Sequence, residues 1–121
     1  MGIIIFATII MKRGREQGAL RLVRALKRDA EANQPGTRTY LVHRTLDRKT
    51  NKATRTLYFY EVYRNKAALN AHLTSDSWKA VEKHWPTYFE GSPKKPVFFN
   101  AERIAGFTRP GAIPVARRRK R

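Results

Sequence analysis

The chain has 121 residues, 41% of them hydrophobic, and 26 Lys and Arg against 9 Asp and Glu give it a net charge of +17. That is one domain's length, able to bury a core but with enough remaining surface that self-association would stabilise it. The absence of cysteine excludes disulfides, thiolate metal sites and a cysteine nucleophile. The charge favours polyanionic or acidic partners, or serves solubility alone.

Residues 3–11 form the first predicted element, a continuously apolar run that suits a strand buried on both faces. No basic segment precedes it, no small-residue cleavage site leads into Lys12-Arg13, and it falls well short of the ~20 residues a membrane helix needs. Neither a signal peptide nor a membrane span is expected, and the expected location is the cytoplasm. Residues 16–33 follow with helical periodicity, placing Ala19, Leu22, Val23, Leu26 and Ala30 on one stripe and Arg21, Arg24, Lys27 and Arg28 off it. Gln34-Pro35-Gly36 closes this helix with turn chemistry.

Residues 37–46 read as a second strand and 55–63 as a third, rich in aromatic residues; the polar stretch 47–54, with Asn51-Lys52 as its turn, makes them a hairpin. Asn65 can N-cap a short helix carrying Ala68, Leu69, His72 and Leu73. Thr74-Ser75-Asp76 interrupts it and caps another helix running to about Tyr88, with Trp78, Val81 and Trp85 on one stripe. Gly91-Ser92-Pro93 is a loop and residues 97–107 are the last strand. The domain is expected to span residues 1–108. Residues 109–121 are expected to be a disordered basic tail, whose terminal residues 117–121 are all Lys or Arg and suit weak polyanion binding. Removing those five charges still leaves +12.

The order β-α-β-β-α-β is the ferredoxin-like motif, an α+β subunit with one antiparallel sheet and helices on one side. Its strands do not alternate cleanly: Ile3 to Phe6, Leu57 to Tyr60 and Val97 to Phe99 are each consecutive large side chains. One sheet face takes the helices; the other would be a large apolar patch unless a second copy of the chain covers it, so a homodimer is expected.

Two residues stand out as catalytic candidates. His72 lies on the apolar side of its helix, where it either acts as a base or is a core histidine bonded to a backbone carbonyl. Glu82 falls near the centre of the Trp78–Val81–Trp85 stripe, where it lines a pocket or, if the helix is rotated, is solvated. Trp78, Trp85, Tyr58, Tyr60 and Tyr63 form either an aromatic substrate cleft or core. Glu61 alternates with Phe59 and Tyr63, and either binds substrate or pairs with an arginine across the dimer. His43 and His84 have weaker claims. No glycine-rich phosphate loop, metal-ligand spacing or serine elbow appears, so no cofactor and no metal are expected.

The stretch from Tyr60-Glu61-Val62-Tyr63 through Ala67-Ala68-Leu69-Asn70-Ala71-His72 to Ser75-Asp76-Ser77-Trp78-Lys79 resembles the signature region of antibiotic biosynthesis monooxygenase domains. Such domains show a strand with Glu and an aromatic, an Ala-rich helix ending in His, then Ser and a second helix. The resemblance covers residues 2–107 and implies a dimeric α/β barrel. It also implies a cofactor-independent monooxygenase that oxidises an aromatic polyketide-like or quinol substrate with O2 in secondary metabolism. In such a reaction the protein supplies a base, a dry aromatic pocket and donors for developing negative charge. The haem-degrading relatives use Asn, Trp and His where this chain has Ala7, His72 and Glu82, so the resemblance does not extend to haem degradation. A non-catalytic dimeric barrel is the alternative within the same family. Nucleic-acid binding is the alternative outside it, because RNA-recognition domains share the element order and carry aromatics on their third strand. Against that reading, the strand lacks that motif's glycine and puts Glu61 among the aromatics.

Overall fold

Chains with large side chains on both sides of a strand still fold around one face first, and β1 (Ile3–Ile10) shows which. In the computed structural model, which describes residues 2–93 and 97–111 (97–100 by backbone alone), Ile5, Ala7 and Ile9 are buried while Ile4, Phe6 and Thr8 are half-buried. The chain continues through α1 (Glu16–Asn33), β2 (Thr37–Leu46), β3 (Ala53–Tyr63), α2 (Lys66–Leu73), α3 (Asp76–Lys83), α4 (Trp85–Tyr88) and β4 (Val97–Ala101). The four strands make one antiparallel sheet in the order β2-β3-β1-β4, the ferredoxin-like arrangement expected from the sequence.

The sheet's inner face joins Ile5, Ala7 and Ile9 to Leu57, Phe59, Glu61 and Tyr63, partners set by the register Ile5↔Glu61, Ala7↔Phe59 and Ile9↔Leu57. Helix α1 lays Ala19, Val23, Leu26 and Ala30 on this face, and α3 and α4 add Trp78, Val81 and Trp85. On the outer face the Phe6 and Tyr60 rings lie tilted against each other at 5.3 Å and Tyr58 is 37% exposed; among the described residues no helix covers this side. Among the described residues the helices reach only one side of the sheet, so the second face of β1, which was expected to be covered by another copy of the chain, is half-buried here.

Local chemistry sets the ends of the elements. Asn65 Oδ1 accepts from the Ala68 amide at 2.9 Å, as expected, and within the expected cap Thr74-Ser75-Asp76 it is Ser75 whose Oγ accepts from the Trp78 amide at 3.2 Å. The helix expected to run to about Tyr88 is instead broken at His84, because Pro86 has no amide to continue the ladder. Strand β4 ends at Ala101, not at Phe107. Its register runs from Thr8↔Val97 to Ile4↔Ala101, and β1 has almost no backbone left to pair beyond that point. Residues 102–111 are exposed, Ile104 and Phe107 at 86% and 81%. The basic run 117–121 and most of the expected tail lie outside the described residues. Among the described residues no helix is long and apolar enough to cross a membrane.

Candidate active site

Three strands and two helices converge on one small internal cavity. Ala7 and Ile9 of β1, Tyr40 of β2, Phe59 and Glu61 of β3, His72 and Leu73 of α2, and Trp78 of α3 line it. Its volume is about 20 Å³, close to what a single water needs. Of the lining residues on the helices, Leu73 is 37% exposed, while Trp78 and His72 are buried at 8% and 2%. Helix α2 buries one residue, His72.

Gly36 brings α2 to this position. A Cβ on Gly36 would stand 2.5 Å from the Ala68 Cβ, so only glycine lets the α1–β2 turn approach the start of α2 so closely. That turn also supplies the partner of His72. The Nδ1–H of His72 donates to Gln34 Oε1 at 2.7 Å, and Gln34 Nε2 donates to Asp29 Oδ2 at 3.1 Å. The carboxylate can only accept, so it turns the amide's NH2 towards itself and its oxygen towards the ring. His72 therefore carries its proton on Nδ1, and Nε2 is the ring atom left to accept in the cavity. Asp29 also accepts from Ser77 Oγ at 2.5 Å and Asn33 Nδ2 at 2.7 Å; these bonds, that from Ser77 foremost, hold its carboxyl below the usual range. Burial lowers His72 to about 4, so the ring is neutral near pH 7.

Glu61 titrates in the opposite direction. Burial raises its pKa to about 7, and the hydrogen bond it accepts from the Tyr63 hydroxyl holds the rise in check. Burial likewise pushes the phenols of Tyr63 and Tyr40 far above their usual range, the nearby Glu61 adding to the effect, so both keep their protons. Tyr63 spends its proton on Glu61, while Tyr40, which also lines the cavity, keeps its phenol proton. The His72 ring packs between Tyr40, Tyr63 and Trp78 at centroid distances of 5.3, 5.6 and 6.2 Å. The result is a proton acceptor poised near neutrality, a neutral imidazole and a phenolic donor, all walled by aromatic rings.

Of the residues singled out in the sequence, His72, Trp78 and Glu61 line this cavity, and Tyr63 lies directly behind it. The others do not join them. Glu82 is half-buried at the edge of α3 and lines neither this cavity nor the cleft described below. Trp85 is core, its ring 4.8 Å from Phe89 and its Nε1 donating to the Glu90 carbonyl at 3.1 Å. Tyr58 and Tyr60 are on the outer face, where Arg103 donates to the Tyr60 hydroxyl. His43 is exposed and bonded to the Tyr58 carbonyl at 3.1 Å, and His84 is exposed at the end of α3. Tyr40, Gln34 and Asp29 were not singled out. Tyr40 alternates with Val42 on its strand, which marks an inward face; Gln34 reads only as a turn residue.

A wider, open cleft of about 590 Å³ lies among Arg13, Glu16, Arg44, Arg55 and Glu90. Arg55 is occupied there, bonded to Glu90 at 2.6 Å and to the Met11 carbonyl at 3.0 Å. Among the described residues no group of three His, Cys, Asp or Glu could hold a metal ion.

The family model described as antibiotic biosynthesis monooxygenase matches residues 2–84. No curated protein matches the sequence significantly. Among solved structures, a Pseudomonas aeruginosa protein is similar at a TM-score of 0.69 and 22% identity, over 86% of this chain and 95% of its own. A Caulobacter crescentus protein, provisionally assigned as an antibiotic biosynthesis monooxygenase, is similar at 0.70 and 22% identity, over 86% of this chain and 91% of its own. A Mycobacterium tuberculosis protein is similar at 0.71 and 14% identity, over 89% of this chain and all of its own. At these identities the solved structures carry the fold alone, which agrees with the sheet order and helices described above.

Proposed function

The chain belongs to the antibiotic biosynthesis monooxygenase family, and from that premise we propose that the cavity performs cofactor-independent oxidation of an electron-rich phenol, such as an anthrone or a quinol, with O2. The observation that carries this reading is the opposite tuning of two buried groups on one cavity: Glu61 raised to about 7 and His72 lowered to about 4. Glu61 is the base, because a general base works best with a pKa near the operating pH. This reassigns the leading role that the sequence suggested for His72. Neutral His72 accepts a substrate hydroxyl through Nε2 and orients the ring. The Tyr40 hydroxyl donates to the oxyanion that develops as the proton leaves. Trp78, Phe59 and Tyr40 keep the site dry and face the aromatic substrate.

For an anthrone the balance closes without a further reductant. Glu61 removes a proton from the activated CH2, and the carbanion passes electrons to O2. One oxygen atom enters the product as a ketone, and the other leaves as water with the two hydrogens of the CH2. The site's small volume fits O2 as it stands; an aromatic substrate requires the α2 wall to yield.

The proposal includes a homodimer joined through the outer sheet face, supported by the adjoining rings of Phe6, Tyr58 and Tyr60 there, with Tyr58 exposed and the other two half-buried among the described residues. Light scattering is expected to give twice the 14.0 kDa chain mass; a monomer at micromolar concentration would end that part. The reaction is tested by incubating the protein with anthrones and hydroquinones under air and under argon. Quinone formation above the protein-free rate, dependent on O2 and unaffected by chelators, is expected. No product from any substrate under air would remove the oxygenase reading and leave the non-catalytic barrel.

A further inference from the structure

Helix α1 has an outer ridge whose chemistry the cavity does not use. Arg21, Arg24 and Arg28 are exposed and, at about 100° per residue, lie within about 60° of one another on one side of the helix. The buried residues Ala19, Val23, Leu26 and Ala30 occupy the other side. Arg21 and Arg24 are spaced i, i+3 and Arg24 and Arg28 i, i+4, so they are like-charged neighbours. The acids of the helix are engaged elsewhere. Glu31 is held by Lys27 at 2.9 Å, Asp29 accepts from Ser77, Asn33 and Gln34, and Glu16 lies in the cleft with Arg44 and Arg55. Among the described residues the ion pairs are Lys27–Glu31 and Arg55–Glu90, and neither involves the ridge. Residues 12–28 carry seven Lys or Arg against one acid, so the ridge continues a basic segment that begins before the helix.

We infer that the Arg21–Arg24–Arg28 ridge is a docking surface for the phosphate backbone of double-stranded nucleic acid. Guanidinium groups bind phosphate in a bidentate way, and this spacing reaches about 10 Å along the helix, opposite roughly six duplex phosphates. Three features select a duplex backbone over other polyanions. Leu20, Leu22 and Ala25, which flank the ridge, are half-buried, so there is no exposed apolar face to insert into an anionic membrane. No aromatic side chain occurs in α1, whereas single strands are gripped by base stacking. The exposed aromatics among the described residues lie off this helix: Tyr58 is on the opposite face of the sheet and Phe107 follows β4. Contacts to phosphate alone carry no base readout, so binding is independent of sequence.

The test is fluorescence anisotropy of the full chain with a labelled duplex of arbitrary sequence, titrated between about 50 and 200 mM salt. The variant Arg21→Gln/Arg24→Gln/Arg28→Gln is compared with Arg48→Gln/Lys49→Gln/Lys52→Gln on the β2–β3 turn. Both lower the net charge of +17 by the same amount. Glutamine keeps helix propensity, and circular dichroism checks folding. The ridge variant is expected to lose roughly 10-fold or more in affinity and to reduce the slope of log K against log[salt] by about 2.7, while the turn variant changes little. An Arg→Lys triple on the ridge, which keeps the charge, is expected to restore most of the binding and the salt slope. Equal losses in the two Gln triples would show a bulk-charge effect and overturn the inference. An unchanged ridge variant would place the binding elsewhere on the chain and overturn it as well. Tighter binding to a single strand of equal phosphate number, or binding to phosphatidylserine vesicles but not to the duplex, would also overturn it.

Discussion

The two faces of β3 are built from one run of aromatic and branched residues, yet they differ in almost everything that matters for chemistry. Leu57, Phe59, Glu61 and Tyr63 point inward and are at most 6% exposed; Tyr58, two positions from Tyr60 on the other side, is 37% exposed. The inward face shifts proton affinities through desolvation, and the outward face leaves its tyrosines against solvent or a second subunit. The contrast shows that an aromatic residue's identity says little about its role until the strand's period of two has assigned it a side.

The largest expected effect separates the faces by catalysis. With an anthrone substrate, Glu61→Gln is expected to lower kcat by roughly 10²–10⁴-fold by removing the base, whereas Tyr60→Phe is expected to leave it within about twofold. Initial rates of quinone formation measure both. If Tyr60→Phe fell as far as Glu61→Gln, the chemistry would have to be moved to the outer face.

Stability separates the faces next. Phe59→Ala empties a fully buried site and is expected to cost about 3–5 kcal/mol in urea unfolding. Tyr58→Ala in the monomer is expected to cost under about 1 kcal/mol. If the outer face is a dimer interface, the cost of Tyr58→Ala grows with protein concentration and that of Phe59→Ala does not.

The inward face can also be tested by pH. Glu61 loses its proton near 4.5 in the unfolded chain and near 7 in the folded one, so the folded state holds the extra proton between those values. Its contribution to stability therefore falls as pH rises through that window. His72 does the reverse: its proton is lost near 6.5 unfolded and near 4 folded, so its contribution falls as pH drops from 6.5 towards 4. The two slopes oppose each other, and the native protein is expected to be nearly flat in stability between about pH 4.5 and 6.5. Glu61→Gln exposes the His72 slope, a rise of about 3 kcal/mol from pH 4 to 6.5, and His72→Gln exposes a comparable fall towards pH 7. Urea midpoints at several pH values read both, and a steep native profile would break the cancellation. A smaller effect follows from Tyr63→Phe. Losing the bond that favours ionised Glu61 should move the acidic limb of the rate profile upward in pH.

The element order was legible because each segment shows one clear period, and the caps at Asn65 and Ser75 formed where their chemistry put them. The end of β4 was not, since it depends on how much of β1 remains to pair. His72 and Trp78 were legible from their apolar stripes. Glu82 was placed near the centre of its stripe, but at 100° per residue it stands about 70° from the midpoint of the buried pair Trp78 and Val81, at the border of the apolar face, which is why it is only half-buried. Period-two alternation with Glu61 and Phe59 already sends Tyr58 and Tyr60 outward, so their separation from the site was readable too. Gln34 was beyond reach, because its partner His72 is 38 residues away and only the approach at Gly36 joins them.

The chain of bonds from Asp29 through Gln34 to His72 has a direction, and that direction is set at the end farthest from the cavity. A carboxylate cannot donate, so the amide cannot turn over, and the imidazole inherits a single tautomer from a group it does not touch. Asparagine at position 29 would offer both a donor and an acceptor and free the amide to rotate by half a turn. The buried ring would then divide between its two tautomers, one of them presenting an N–H where a lone pair belongs. Nitrogen chemical shifts of His72 in Asp29→Asn would register that mixture even with every side chain of the cavity in place.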